Sequence, residues 1–225
     1  LAGVRIMPCA NPEEEAQAVA LLVREAVEQP EKRVAVATPD RALARRVVHH
    51  LDRWNITADD SGGRPLSQTA AGRLFLLLAE IVAEDAAPVS LMGLLGHPLV
   101  DGGMERGVWL RQLRRVERAL RGPRKAGGLA PVAAIAARLA QRHGRVADWY
   151  AAVDHAPSPL VALHRQDAIP MHALLDALVE SGEALCGEKL WAREDGRSLA
   201  GFVEELRRHA REAGFALAPD EAEIA

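Results

Sequence analysis

A strand, turn, helix and strand pattern between Arg33 and Thr69, RVAVATPDRALARRVVHHLDRWNITADDSGGRPLSQT, leaves this chain the fewest choices of fold. Val34, Ala35, Val36 and Ala37 form an apolar run between Lys32-Arg33 and Pro39-Asp40, the pattern of a short parallel strand buried on both faces. Pro39 breaks the run. From Arg41 the period turns helical: Leu43, Val47, Leu51 and Trp54 share one face, with Arg41, Arg45, His49 and Asp52 opposite. Asn55 to Ala58 then predicts a returning strand, so the unit reads as a βα(β) element of an open sheet.

Upstream, Val4 to Met7 predicts another short strand. Asn11 offers a helix N-cap, Pro12 suits the first helical position, and Glu13, Glu14 and Glu15 place negative charge on the helix N-terminus. Ala16, Val19, Ala20, Val23 and Val27 form the expected buried stripe, and Gln29-Pro30 ends the helix. The opening of the chain therefore predicts alternating β and α elements of a doubly wound sheet.

After Thr69, a cap for the next helix, the pattern is helical. Leu74, Leu77, Leu78 and Ile81 predict one apolar helix, and Ser90 to Leu95 a shorter one stopped by Gly96 and Pro98. Glu105 to Arg121 is the clearest helix, with Trp109, Leu113, Val116 and Leu120 in register and Gly122-Pro123 as its stop. Pro131 opens another, and further helices are expected at Pro170 to Leu185 and Ser198 to Ala213 after the connection Ala156-Pro157-Ser158-Pro159. Pro219 with Asp220, Glu221 and Glu223 resembles a helix start. The expected class is α/β: a partial parallel-sheet unit over 1–69, followed by a mostly helical region over 70–225.

Composition is that of an ordinary globular protein, with 49% hydrophobic and 26% charged residues. No apolar run approaches the ~20 residues of a membrane span, and LAGVRIMPCA lacks the basic region and apolar core of a signal peptide. The absence of an initiator Met suggests a piece of a longer protein. Two cysteines far apart, Cys9 and Cys186, suit a reducing compartment, so the cytoplasm is expected. A net charge of −3 gives no global attraction to nucleic acid, so any DNA contact requires a local patch.

One such patch is present. Between Glu105 and Lys125 stand Arg106, Arg111, Arg114, Arg115, Arg118, Arg121, Arg124 and Lys125 against only Glu105 and Glu117. At 100° per residue, Arg111, Arg114, Arg115 and Arg118 fall opposite the apolar stripe, a face able to follow a phosphate backbone. A solvated arginine face has the same pattern. In the loop DDSGGRPLSQT, Gly62 and Gly63 permit close backbone approach, and Arg64, Ser67, Gln68 and Thr69 can meet a phosphate; the plainer reading is a connection ending in the cap Thr69. Asp59-Asp60 can hold a divalent cation or simply form a turn.

Other chemistry finds no pattern. A phosphate-binding G-x-x-x-x-G-K-[ST] loop is missing; Gly182 and Gly187 have its spacing, but Glu188 takes the lysine position, Lys189 comes one place late, and Leu190 replaces the hydroxyl. His49 and His50 are adjacent on a helix and point about 100° apart, and the other histidines follow no metal-binding spacing. No serine lies in a G-x-S-x-G elbow.

The run TPDRALARRV, the Trp-Asn-Ile return and DDSGGRPLSQTAAGR, joined by SLMGLLGHPLV from Ser90 to Val100 and GEALCGEKLWAREDGRSLAGFVEEL from Gly182 to Leu206, resemble the AddB subunit of the alphaproteobacterial AddAB helicase-nucleases. The "LL-x-HPL" segment is one that AddB shares with RecC-like chains. The resemblance implies that 1–69 begins a second RecA-like domain and that 70–225 is a helical subdomain inserted in it. It also implies a parent that binds ATP, Mg and an iron–sulfur cluster and processes DNA ends with an AddA-like subunit during double-strand-break repair. Two cysteines cannot supply a four-cysteine cluster and the phosphate-binding loop is missing from the sequence, so those cofactors would lie outside this segment, which is expected to hold none and to contribute DNA-path and subunit-contact surface. The candidate DNA contacts are Arg111, Arg114, Arg115, Arg118 and Arg64. The competing reading is a helical interaction adaptor with no nucleic-acid role, consistent with the acidic net charge.

Overall fold

The computed structural model describes residues 3–123 and 125–222. They divide into two compact units, 1–63 and 64–225.

In the first unit two helices pack on each other, α1 (Pro12–Val27) and α2 (Arg41–Asp52). α1 begins where its signals place it: the Asn11 side chain accepts from the Glu13 and Glu14 amides at 3.0 and 2.9 Å, satisfying two of the donors every helix start leaves open. Ala16, Ala20 and Val23 of α1 and Leu43, Val47 and Leu51 of α2 are buried together. Val27 departs from its expected place in the stripe and is exposed. His50 is buried on this seam, with Nε2 2.8 Å from Glu13 Oε1, so it links the start of α1 to the last turn of α2. Trp54 is half-buried, with the Arg24 guanidinium 4.9 Å from its ring centroid.

The expected parallel sheet is not there. Val4–Met7, Val34–Ala37 and Asn55–Ala58 join no ladder, and the described residues contain one sheet of two antiparallel strands, located elsewhere. The protein is mainly helical. A strand exists only through a neighbour's hydrogen bonds, whereas a helix satisfies its own backbone. In this unit the helices found partners in each other and the apolar segments did not, leaving Val34 and Val36 exposed.

The second unit is a helical assembly. Its elements are α3 (Ala70–Ala83), α4 (Pro88–Gly96), α5 (Arg106–Leu120), α6 (Ala130–Ala140), α7 (Arg145–His155), α8 (Ser158–His164), β1 (Ile169–Pro170), α9 (Met171–Cys186), α10 (Glu194–Ala213) and β2 (Ala216–Leu217). Thr69 caps α3, accepting from the Gly72 amide at 3.1 Å and donating to the Leu66 carbonyl at 2.7 Å. α3 is apolar nearly all round, which is the pattern of a central helix, and it packs against α4, α8, α9 and α10. Leu74, Leu78 and Ile81 are fully buried with Leu91, Leu94, Leu160 and Leu185; each such burial contributes about 1.5–3 kcal/mol.

The two strands, pairing Ile169 with Leu217 and Pro170 with Ala216, lie in the region expected to be mostly helical, and of these four residues only Pro170 falls within an expected helix. α4 starts at Pro88, ahead of the expected Ser90 cap, and Ser90 instead donates its hydroxyl to the Glu84 carboxylate. Pro219–Glu221 makes one 3-10 turn, and Glu223 lies outside the described residues. No helix among the described residues is long and apolar enough to cross a membrane.

Candidate nucleic-acid interface

α5 carries the basic face, and its orientation follows from its buried stripe. Glu105 caps it, accepting from the Gly107 and Val108 amides at 2.6 and 3.0 Å. Trp109, Gln112, Leu113, Val116 and Leu120 are buried against α4, α6 and α7. Trp109 is fully enclosed: its indole N–H donates to the Leu95 carbonyl at 2.8 Å, and its ring lies 5.6 Å from that of Trp149. With that side anchored, the opposite side faces outward.

Arg111, Arg114 and Arg118 are exposed on that side. Seven residues of helix separate Arg111 from Arg118, about 10 Å along the axis at 1.5 Å per residue. Arg111 stands 3.9 Å from Glu105, a loose and solvated pair. Arg118 donates from Nε to the Arg114 carbonyl at 3.2 Å, which orients the side chain along the helix. Arg115 is placed differently. It is half-buried and donates to Gln112 Oε1 at 2.7 Å, so its guanidinium supports the helix surface more than it extends from it.

The remaining arginines divide by what they touch. Arg106 donates to the Gly96 carbonyl at 2.8 Å and to that of Val100, clamping the loop between α4 and α5. Arg121 pairs with Glu117 at 3.3 Å. Arg124 lies outside the described residues. Arg64 is exposed ahead of the 3-10 turn Leu66–Gln68, with no hydrogen bond or ion pair to α5 among the described residues.

The glycine loop is internally engaged. Asp60 receives both Arg41 terminal nitrogens, at 2.9 and 2.6 Å, and Arg41 also donates to the Gly63 carbonyl at 2.9 Å. Hydrogen bonding to Arg41 and to the Gly62 amide holds the Asp60 carboxyl below the usual carboxylate range. A Cβ at Gly62 would meet the Arg41 guanidinium, so a larger residue there would displace the arginine from its place beside Asp60. Thr69, 4% exposed, spends its hydroxyl on the α3 cap.

One polar network was not legible in the sequence. Buried Asp101 binds Lys189, its amide donates to the Leu185 carbonyl at 3.1 Å, and Cys186 lies buried beside it. Burial, with help from Asp101, pushes the Cys186 thiol up to about 12, which makes it an inert core residue. Gly182 sits inside α9, and Gly187, with φ of 59°, ends it; the glycine spacing there reflects a helix terminus. Buried His97 has its pKa lowered by desolvation and by Arg106 and Arg73. Nothing in the spacing of Asp101 and Lys189 announces their contact.

The arrangement on α5 can bind anions in a row without chemical transformation. Among the described residues no three His, Cys, Asp or Glu side chains converge as a metal site. Comparison of the chain with family models, with curated proteins and with solved structures gave no match.

Proposed function

We propose that this chain is a non-catalytic part of a helicase–nuclease subunit of the AddB type, acting in the cytoplasm in double-strand-break repair and offering DNA a phosphate-contacting surface on α5. The observation that carries the proposal is the exposure of Arg111, Arg114 and Arg118 along one side of a helix whose other side is locked into the core by Trp109, Leu113 and Val116. Three guanidinium groups on a rigid support bind successive phosphates without paying for ordering of the backbone. The segments resembling AddB, including the α4 helix with its following HPLV run, support the family part of the reading, and an AddA-like subunit is its implied partner.

The test is binding of a labelled single-stranded oligonucleotide across a salt series. The logarithm of affinity should fall with log salt by about 0.7 per neutralised phosphate. Replacing Arg114 and Arg118 together by glutamine should reduce that slope by about one to two units, because each lost contact releases fewer counterions. An unchanged slope, or no binding at low salt, returns α5 to a solvated face.

A further inference from the structure

We infer that the DNA surface continues from α5 onto the corner between α6 and α7, where Arg138, Arg142 and Arg145 hold a second stretch of the same strand. The inference rests on the phosphate-contacting reading of α5. All three arginines are exposed, and so is His143 among them. Among the described residues, none of the three makes an ion pair or a side-chain hydrogen bond. Asp148, the nearest carboxylate in sequence, is exposed and pairs with none of them.

The local helices account for only part of this cluster. Arg138 and Arg142 stand at the end of α6, where a cation is favoured, whereas Arg145 opens α7, where the helix dipole opposes one. Arg145 is thus placed against the stability of its own helix, and a phosphate bound there reverses the sign of that effect. A stable protein interface has an apolar centre. Among the described residues from 106 to 148, no large apolar side chain is exposed. Arginines without apolar neighbours suit a phosphate backbone.

Both arginine groups lie within reach of one strand. The Trp109 and Trp149 rings, 5.6 Å apart, hold the start of α5 against the start of α7. Packed helices stand about 10 Å apart, and Arg145 precedes Trp149 by one turn, about 6 Å along the axis, so it lies roughly 16 Å or less from Trp109. Adding about 14 Å of α5 from Trp109 to Arg118 gives a path of about 30 Å, or roughly nine nucleotides at ~3.4 Å per phosphate.

The probes are two labelled oligothymidylates, a tetranucleotide and a strand of about twelve nucleotides, long enough for both groups, each titrated against the full chain across a salt series. The longer strand should bind about tenfold tighter or more, because a strand held at one group meets the other at high effective concentration. Replacing Arg142 and Arg145 together by glutamine should remove most of that advantage and lower the longer strand's salt slope by about one to two units. Dichroism should be unchanged, since both side chains are exposed and unpaired. Arg145→Gln alone should raise the thermal unfolding midpoint; a lower midpoint means that Arg145 serves the fold, and overturns the proposal. An unchanged slope and length advantage in the double variant also overturns it, while a slope still reduced by glutamine at Arg114 and Arg118 leaves the α5 reading standing. If only the corner variant changes the slope, the α5 reading fails and the continuous path fails with it. Polyglutamate binding the corner as tightly as the longer strand would make the partner an acidic protein and refute the proposal.

Discussion

Arg41 and Asp60 form a two-pronged ion pair, Nη1 to Oδ1 at 2.9 Å and Nη2 to Oδ2 at 2.6 Å, across a loop closed by the Gly63 carbonyl. A carboxylate so occupied is not offering itself to a cation or repelling a phosphate; it shapes the turn Asp60-Ser61-Gly62-Gly63. Asp60→Asn should speed amide exchange at Gly62 and Gly63, which donate to the Asp60 side chain and carbonyl at 3.0 and 2.9 Å. The folded pKa of Asp60 lies below its ordinary 3.8, so the loop's protection should hold above that pH and fade as pH falls through the lower folded value. Exchange rates independent of both substitution and acid would show that the pair does not shape the turn.

Ser181 carries a hydroxyl that is buried without a hydrogen-bond partner, in a residue with 0% exposure on α9. Desolvating it costs free energy that nothing returns. Ser181→Ala should raise stability by about 1 kcal/mol, through removal of that penalty and a better helix propensity. Urea unfolding followed by dichroism measures it, and a lower midpoint would refute it.

Glu31 holds φ at 64° in the turn that follows α1, where the Lys32 amide donates to the Gln29 carbonyl at 3.3 Å. With Pro30 ahead of it, this is the turn position that favours glycine. Glu31→Gly relieves the left-handed strain and loosens the unfolded chain, and the balance should be a gain of up to about 1 kcal/mol. Pro30→Ala should act oppositely, and thermal unfolding of both variants separates the two effects.

His97 is buried next to Arg106 and Arg73, and its folded pKa lies below the ordinary 6.5. Protons therefore prefer the unfolded chain. Stability from the neutral ring should be fully present above about pH 6.5 and decline as pH falls from there toward the folded value. His97→Gln should flatten the dependence between about pH 7 and 5.5, a window above most carboxylate titration. Unfolding midpoints at several pH values decide it: the same slope in both proteins would place the titration elsewhere.

Much of this molecule was written locally. Asn11-Pro12 starts α1, Thr69 starts α3, Leu120 ends α5 ahead of Gly122-Pro123, and Trp109, Leu113 and Val116 choose its buried side. Each of these signals acts within one or two turns of helix, where the groups that decide the outcome are neighbours in sequence. The arginine face of α5 was legible for the same reason.

Only tertiary structure decided the rest. Whether Val34–Ala37 becomes a strand depends on a partner backbone from elsewhere, and an apolar run cannot report one that is missing. The short ladder of Ile169-Pro170 with Ala216-Leu217 forms because the two segments meet at opposite ends of α9 and α10 connectivity, not because either has strand character. Packing likewise sorted the charges: Gln112 drew in Arg115, the Gly96 and Val100 carbonyls took Arg106, and Lys189 met Asp101 from a distant helix end. Sequence determined which faces were apolar and which were charged; the fold determined which charges were left facing water.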